Sequence, residues 1–287
     1  MKRLTIAVCL LFGAVQAFAQ DDLLSLLEEE QGEERTLIEA TFKGTRVING
    51  HSIETRNKGV MDFIISHRFG TIDGGAYELF GLDNATVRLG LEYALSDRLY
   101  LGIGRSSFEK TYDGFVKYRL LRQMSGGGMP FSATLFASAS LKNLRQPEID
   151  PTFEEKMAYT TQLLLARKFS PSLSLQLMPT WVHKNLILED DINNDAFALG
   201  VGGRIKLSQR VALVMEYYYQ FQKITEYSFN AIAIGFDIET GGHVFQLQFT
   251  NSTSMVPKGF ITETRNDFFD AGIHFGFNIS RTFQLKE

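Results

Sequence analysis

The stretch that decides the fold is Leu199-Gly200-Val201-Gly202-Gly203-Arg204-Ile205-Lys206-Leu207. Successive side chains of an extended strand point to opposite faces. Leu199, Val201, Gly203, Ile205 and Leu207 therefore share one face, and Gly200, Gly202, Arg204 and Lys206 the other. The same period recurs on either side of this stretch. Ile232, Ile234, Phe236 and Ile238 alternate with Ala231, Ala233, Gly235 and Asp237. Phe245, Leu247 and Phe249 alternate with Gln246, Gln248 and Thr250. Phe269, Ile273, Phe275, Phe277 and Ile279 alternate with Asp270, Gly272, His274, Gly276 and Asn278. Similar registers run through 87–95, 173–181 and 211–219.

Twelve such strands are predicted, near 60–69, 86–95, 98–107, 114–122, 131–140, 157–169, 172–183, 195–207, 210–220, 229–239, 243–250 and 268–283. The odd-numbered connections are mostly long: 70–85, 108–113, 141–156, 184–194, 221–228 and 251–267. The even-numbered ones are mostly tight, at Ser96-Asp97, 123–130, Ser170-Pro171, Ser208-Gln209 and Thr240-Gly241-Gly242. An even count of antiparallel strands with alternately short and long connections is the pattern of a transmembrane β-barrel, short turns facing the periplasm. No stretch of the mature chain reaches the roughly 18 apolar residues of a membrane helix.

A soluble all-β sandwich or lipocalin-like barrel would turn the same apolar faces inward, and period alone does not distinguish the two. Charge on the polar face and aromatics at strand ends favour the membrane barrel. Arg88, Glu92, Lys117, Arg119, Arg204, Lys206, Glu216 and Asp237 share the polar face and become the candidate lining of a passage. Phe69, Tyr93, Trp181, Tyr217, Tyr219, Phe229, Phe269 and Phe283 sit where interfacial girdles place aromatics. The mixed signs of the lining residues argue against a strict anion or cation filter, which needs rings of one sign.

The chain has 287 residues. Residues 1–19 read as a cleaved export signal: Lys2 and Arg3, an apolar run from Leu4 to Val15, and the small-x-small site Ala17-Phe18-Ala19. The only cysteine, Cys9, lies within it, so the mature chain has no disulfide or thiolate chemistry. Without the signal, 27 bases face 33 acids, and seven of those acids fall in 21–34 with no base. The balanced remainder argues against a nucleic-acid footprint, which needs clustered Lys and Arg. Residues 20–58 form an N-terminal extension, and 59–287 the barrel. Leu23, Leu24, Leu26 and Leu27 before Glu28 suit a short amphipathic helix or an acidic tail equally. Residues 36–58 are polar and broken by glycine. They are a candidate lumen plug through Arg46, His51, Glu54 and Arg56, or else lie beneath the barrel.

The run Thr41-Phe42-Lys43-Gly44-Thr45-Arg46-Val47-Ile48-Asn49-Gly50-His51-Ser52-Ile53-Glu54, with Gly59-Val60-Met61-Asp62-Phe63 and His67-Arg68-Phe69-Gly70 after it, resembles an uncharacterised outer-membrane β-barrel family. That family is a domain of unknown function typical of Bacteroidota, and the resemblance covers most of the mature chain. It implies a barrel and supplies no activity, so no functional residue is carried over. Many barrels end on an aromatic residue, whereas this chain ends Phe283-Gln284-Leu285-Lys286-Glu287.

Signals for chemistry are sparse. Gly102-Ile103-Gly104 and Gly200-Val201-Gly202-Gly203 lie inside strands and open no helix, so they are not phosphate cradles and instead relieve bulk on the lumen side. Gly126-Gly127-Gly128 reads as a turn. Asp190-Asp191-Ile192-Asn193-Asn194-Asp195 imitates a calcium loop, but Ala196 stands at the turn glycine and Gly202 at the bidentate Glu, so a solvated loop is expected. An outer-wall lipid esterase, the least favoured alternative, needs Ser, His and an orienting group. His67 and His183 have outward parity, yet no serine stands two residues after either. No cofactor is expected. Expected partners are outer-membrane lipid and the barrel-assembly machinery, with no nucleic acid, and the chain is expected to be a monomer. The function expected is a narrow or plugged passage for ions or small solutes. The main alternative is a closed scaffold for adhesion or assembly through loops such as 141–156 and 251–267, stiffened by Pro147, Pro151 and Pro257.

Overall fold

The computed structural model describes residues 35–145, 150–186, 191–241 and 243–285. Residues 1–19, read as an export signal, the acidic leader 21–34, Pro147 and Asp190 lie outside the described residues. Twelve strands form one closed antiparallel barrel. They are β1 (Val60–Thr71), β2 (Ala85–Ala94), β3 (Leu99–Ser106), β4 (Tyr112–Leu121), β5 (Ser132–Leu141) and β6 (Met157–Lys168). The second half is β7 (Leu173–Lys184), β8 (Asp195–Lys206), β9 (Val211–Gln222), β10 (Ala231–Thr240), β11 (His243–Thr250) and β12 (His274–Gln284). Each strand pairs with its sequence neighbours, and β1 closes on β12 with Val60 opposite Gln284 and Arg68 opposite Gly276. Closure leaves no free edge of unpaired N–H and C=O groups.

The apolar faces point outward. Leu89, Leu91, Leu175, Leu177, Val201, Ile205, Met215, Ile234, Phe236, Leu247 and Phe249 are exposed, while Arg88, Glu92, Lys117, Gln176, Arg204, Glu216, Asp237, Gln246 and Asn278 are buried inside. A soluble barrel inverts this arrangement, so its packing rules out the sandwich and lipocalin-like alternatives. Trp181 and Tyr219 are exposed three residues from the ends of β7 and β9 and Phe229 just before β10, as a girdle requires, whereas Tyr217 is exposed near the middle of β9.

Three tight turns share one device. In Leu95-Ser96-Asp97-Arg98-Leu99 the Ser96 Oγ accepts the N–H groups of Arg98 and Leu99 at 3.3 and 3.1 Å. Ser170 Oγ accepts from Ser172 and Leu173 at 3.2 and 3.0 Å, and Ser208 Oγ from Arg210 and Val211 at 3.3 and 3.1 Å. A short hydroxyl side chain thus replaces the backbone acceptors lost where the ladder ends.

The last strand begins later than its alternation predicts. Residues 268–273 form a turn in which Gly272 N–H reaches Asp267 O at 2.9 Å and Ala271 adopts φ 54°. Phe269 is 85% exposed there, so its parity with Phe275 does not make it a strand residue. The preceding connection also holds a short helix, α1 (Pro257–Thr262), started by Pro257 and buried along its whole length. A loop expected to carry external contacts is instead folded inward.

By contact density the chain divides into two units, one holding residues up to Ile38 with Gln123–Pro130 and the other the barrel. In the smaller unit Ile38 N–H donates to Gln123 O at 2.9 Å and Ser125 N–H to Thr36 O at 3.0 Å.

The outward belt sets a test. Phe236→Lys places a cation in hydrocarbon, which costs roughly 2–4 kcal/mol near the bilayer midplane. Refolding into liposomes, followed by heat-modifiable migration, should show a reduced folded fraction relative to wild type.

Candidate functional site

The barrel interior is occupied by the chain's own residues from Thr41 to Thr55. They form a hairpin: Val47 N–H donates to Gly50 O at 2.8 Å, Ser52 N–H to Thr45 O at 3.0 Å, and Ser52 Oγ to Gly44 O at 2.6 Å. At the tip, Ile48-Asn49-Gly50, three successive backbone N–H groups converge on one carboxylate. Glu216 accepts them at 3.2, 2.8 and 3.0 Å. Successive amides curved around an anion form a nest, and charge-assisted bonds of this kind are the stronger class.

The opposite polarity is met elsewhere on the wall. Lys117, fully buried, donates to the carbonyls of Thr45, Ser52 and Glu54 at 3.0, 3.0 and 3.1 Å. Gln176 accepts from Ile53 N–H at 2.6 Å and donates to His51 O at 2.8 Å. Gln246 donates to Val47 O at 2.8 Å, and Asn278 to Ile48 O at 3.0 Å. Arg68 donates to Asn49 Oδ1 at 2.7 Å. Arg46 pairs with Glu92 at 2.6 Å, and Arg56 with Asp62 at 2.7 Å. The hairpin's backbone groups are met by strand side chains, as buried N–H and C=O groups require.

Apolar contacts fill the remainder. His51 lies against Phe115 and Phe136 at ring distances of 4.4 and 4.2 Å, and Phe42, Val47 and Ile53 belong to the same buried cluster. Gly50 is needed by close approach: a Cβ there would stand 2.1 Å from the Tyr218 hydroxyl. Glycines on the inner strand faces serve large neighbours in the same way, Gly102 beside Phe115 and Gly104 beside Arg88.

Not every residue read as lumen lining meets the hairpin. Arg88 is bound by Asp113 at 2.9 and 2.5 Å, and Arg204 lies 3.1 Å from Glu239 and 3.8 Å from Asp237. Arg119, half-buried, does meet the hairpin, at its last residue, donating to Thr55 O at 3.3 Å. Lys206 is exposed at the end of β8, outside the packed interior. Glu54 accepts from Phe42 N–H at 3.1 Å. The extension read as 36–58 is divided, 36–38 belonging to the smaller unit and 41–55 forming the hairpin. Gln246 and Asn278 were read on the polar face but not counted among the lining residues because they carry no charge, and Asp62, Arg68, Asp113 and Gln176 were not singled out. Parity with Arg88-type positions marks all six.

The far mouth is closed differently. Phe260 of α1 meets Tyr218 edge-on at 5.2 Å. Lys258 pairs with Glu263 at 2.7 Å and Glu109 at 3.7 Å, and Glu263 with Lys184 at 3.4 Å. Lys184 also holds Asp191 at 3.0 Å, while Asp195 starts β8, so the acidic strip is split between two places. On the outer wall, Asp195 accepts from Trp181 Nε1 at 2.8 Å and lies 2.9 Å from His183 Nδ1. Among the described residues no hydroxyl hydrogen-bonds that ring. His67 stacks on Phe277 at 4.9 Å.

With this geometry in place, sequence comparison gives one family. The model described as "Membrane bound beta barrel domain (DUF5777)" matches residues 42–283. The chain belongs to that family. The matched region begins within the lumen hairpin, so hairpin and wall are one domain by sequence as well as by packing. No curated protein matches the chain. Among solved structures it is similar to a NanC porin, with TM-score 0.49 and 8% identity over 79% of this chain and 100% of that one. It is similar to a KdgM porin at TM-score 0.47 and 9% identity, covering 78% and 99%. Omp33 of Acinetobacter baumannii gives 0.42 and 8%, covering 79% and 99%.

Two substitutions probe the two closures. Glu216→Gln removes the charge that three amides share, and hydrogen bonds to charged groups contribute about 1.5–3 kcal/mol. The midpoint of urea unfolding in detergent should fall accordingly. At the mouth, burial opposes the Glu263 charge, but Lys258 and Lys184 hold its carboxyl down to about 2. A carboxylate so depressed contributes stability that is complete above its usual value near 4.5 and is lost progressively as pH falls from there through about 2. Trypsin cleavage after Lys258 should therefore be low in wild type at neutral pH and rise in Glu263→Gln.

Proposed function

We propose that this family member is an exported outer-membrane barrel of a double-membraned bacterium. Its passage for ions or small solutes is held closed by residues 41–55. The observation that carries this reading is the composition of the wall around the hairpin. Glu216, Lys117, Gln176, Gln246, Asn278 and Arg68 bind it through polar groups. Such a wall can be hydrated once the hairpin leaves, as the polar interior of a water-filled barrel is. Orientation follows from the connections. Both barrel ends, Val60 and Gln284, lie at the rim of the Ser96, Ser170 and Ser208 turns, which is then the periplasmic one.

Planar-bilayer recording separates a passage from a scaffold. Wild type should conduct near background, deletion of residues 39–55 should open it, and further deletion of 252–264 should raise conductance again. Each variant must keep heat-modifiable migration. Silence in all three would leave the closed scaffold as the reading. Epitope tags within 141–156 should label on intact cells and tags at Ser170-Pro171 should not; the reverse pattern would invert the orientation.

A further inference from the structure

The outer wall carries a notch that the lumen does not explain. Rows of outward side chains can be followed across paired strands. One row reads Leu91, Ile103, Gly114, Ala139 and Tyr159. The two smallest members, Gly114 and Ala139, lie directly opposite each other on β4 and β5. Ile103, 66% exposed, stands on one side and Tyr159 on the other. In the next row toward the periplasmic rim Val116 faces Ala137, so the low floor continues. In the next row toward the long loops the sequence is Leu89, Arg105, Tyr112, Leu141 and Met157. Together with Phe153 from the β5–β6 connection, these side chains bound a groove of about 690 Å³.

Arg105 is the groove's cation. Its guanidinium lies over the Tyr112 ring at 5.3 Å, and among the described residues it makes no ion pair. The neighbouring carboxylate, Asp113, points inward and is held by Arg88 at 2.9 and 2.5 Å. Arg105 stands one residue from the end of β3, on the side of the long connections. A cation on a lipid face is tolerated there and not at the midplane.

We propose that this groove binds one lipid of the outward leaflet, with an acyl chain over Gly114 and Ala139 and its phosphate on Arg105. The apolar floor cannot stay empty in a bilayer without losing contacts that an acyl chain supplies. The planar guanidinium matches a phosphate through paired hydrogen bonds, and stacking on Tyr112 holds its plane. The site depends on the barrel being membrane-bound and is independent of whether the lumen conducts.

Native mass spectrometry of the intact barrel tests it, with dioleoyl phosphatidylglycerol and the matching diacylglycerol added in equal amounts. Wild type should retain the phosphatidylglycerol about fivefold better, the gain of one basic residue at a membrane surface. Arg105→Gln should abolish that preference. Gly114→Leu should reduce retention of both lipids, since a Cβ at Gly114 meets only Gly102 O at 3.8 Å and the side chain is free to fill the groove. Ala139→Leu replaces it if heat-modifiable migration is lost. Equal retention by wild type, an unchanged preference in Arg105→Gln, or unchanged retention in the filled variant would each overturn the site.

Discussion

Closure of the hydrogen-bonded ladder is the constraint from which the rest of this molecule follows. Hydrocarbon offers no partner to backbone N–H and C=O groups, so each strand must be paired on both sides, and β1 returns to β12 to achieve it. Once the ladder is closed, period 2 sends every second side chain into the interior. The outward half meets lipid and is apolar. The inward half is thereby free to be polar, and the buried charges on the strands, Arg68, Arg88, Glu92, Lys117 and Glu216 among them, use that freedom.

A polar interior must itself be satisfied. Twelve strands enclose more space than their own side chains fill, and the two ends solve this in different ways. The hairpin lends backbone groups to the wall, so that Glu216 meets three amides and Lys117 three carbonyls. At the other mouth α1 brings Phe260 onto Tyr218 and is fastened by ion pairs among Lys258, Glu263, Glu109 and Lys184. Tyr218 touches both, with Gly50 beneath its hydroxyl and Phe260 at its ring edge. Removing one partner from either network leaves a buried polar group unmatched, which costs far more than a surface contact.

The same sheet shows how small residues act on opposite faces. Gly102 and Gly104 point inward and yield space to Phe115 and Arg88, whereas Gly114 points outward and leaves the lipid face hollow. One strand of shift separates a packing role from an exposed groove.

What the sequence determined by itself is what a period of two and the turn chemistry encode. Eleven of the strands begin within two residues of where alternation and turns set them, because each residue's face depends only on its neighbours in the chain. The chosen polar positions Arg88, Glu92, Lys117, Glu216 and Asp237 are buried for the same reason. Alternation itself is symmetric between the two faces, and the charges on the polar face, Arg88, Glu92, Lys117 and Glu216 among them, were the sequence's sign that this face turns inward, as it does. The partners of those charges, however, were decided in three dimensions. Glu216 answers amides 166 to 168 residues away, and no local pattern carries that distance. Likewise 251–267 reads as a long external loop stiffened by Pro257, and only the mouth beside Tyr218 explains why it turns inward as a buried helix. Local periodicity specifies faces, while filling a closed volume is a property of the whole barrel.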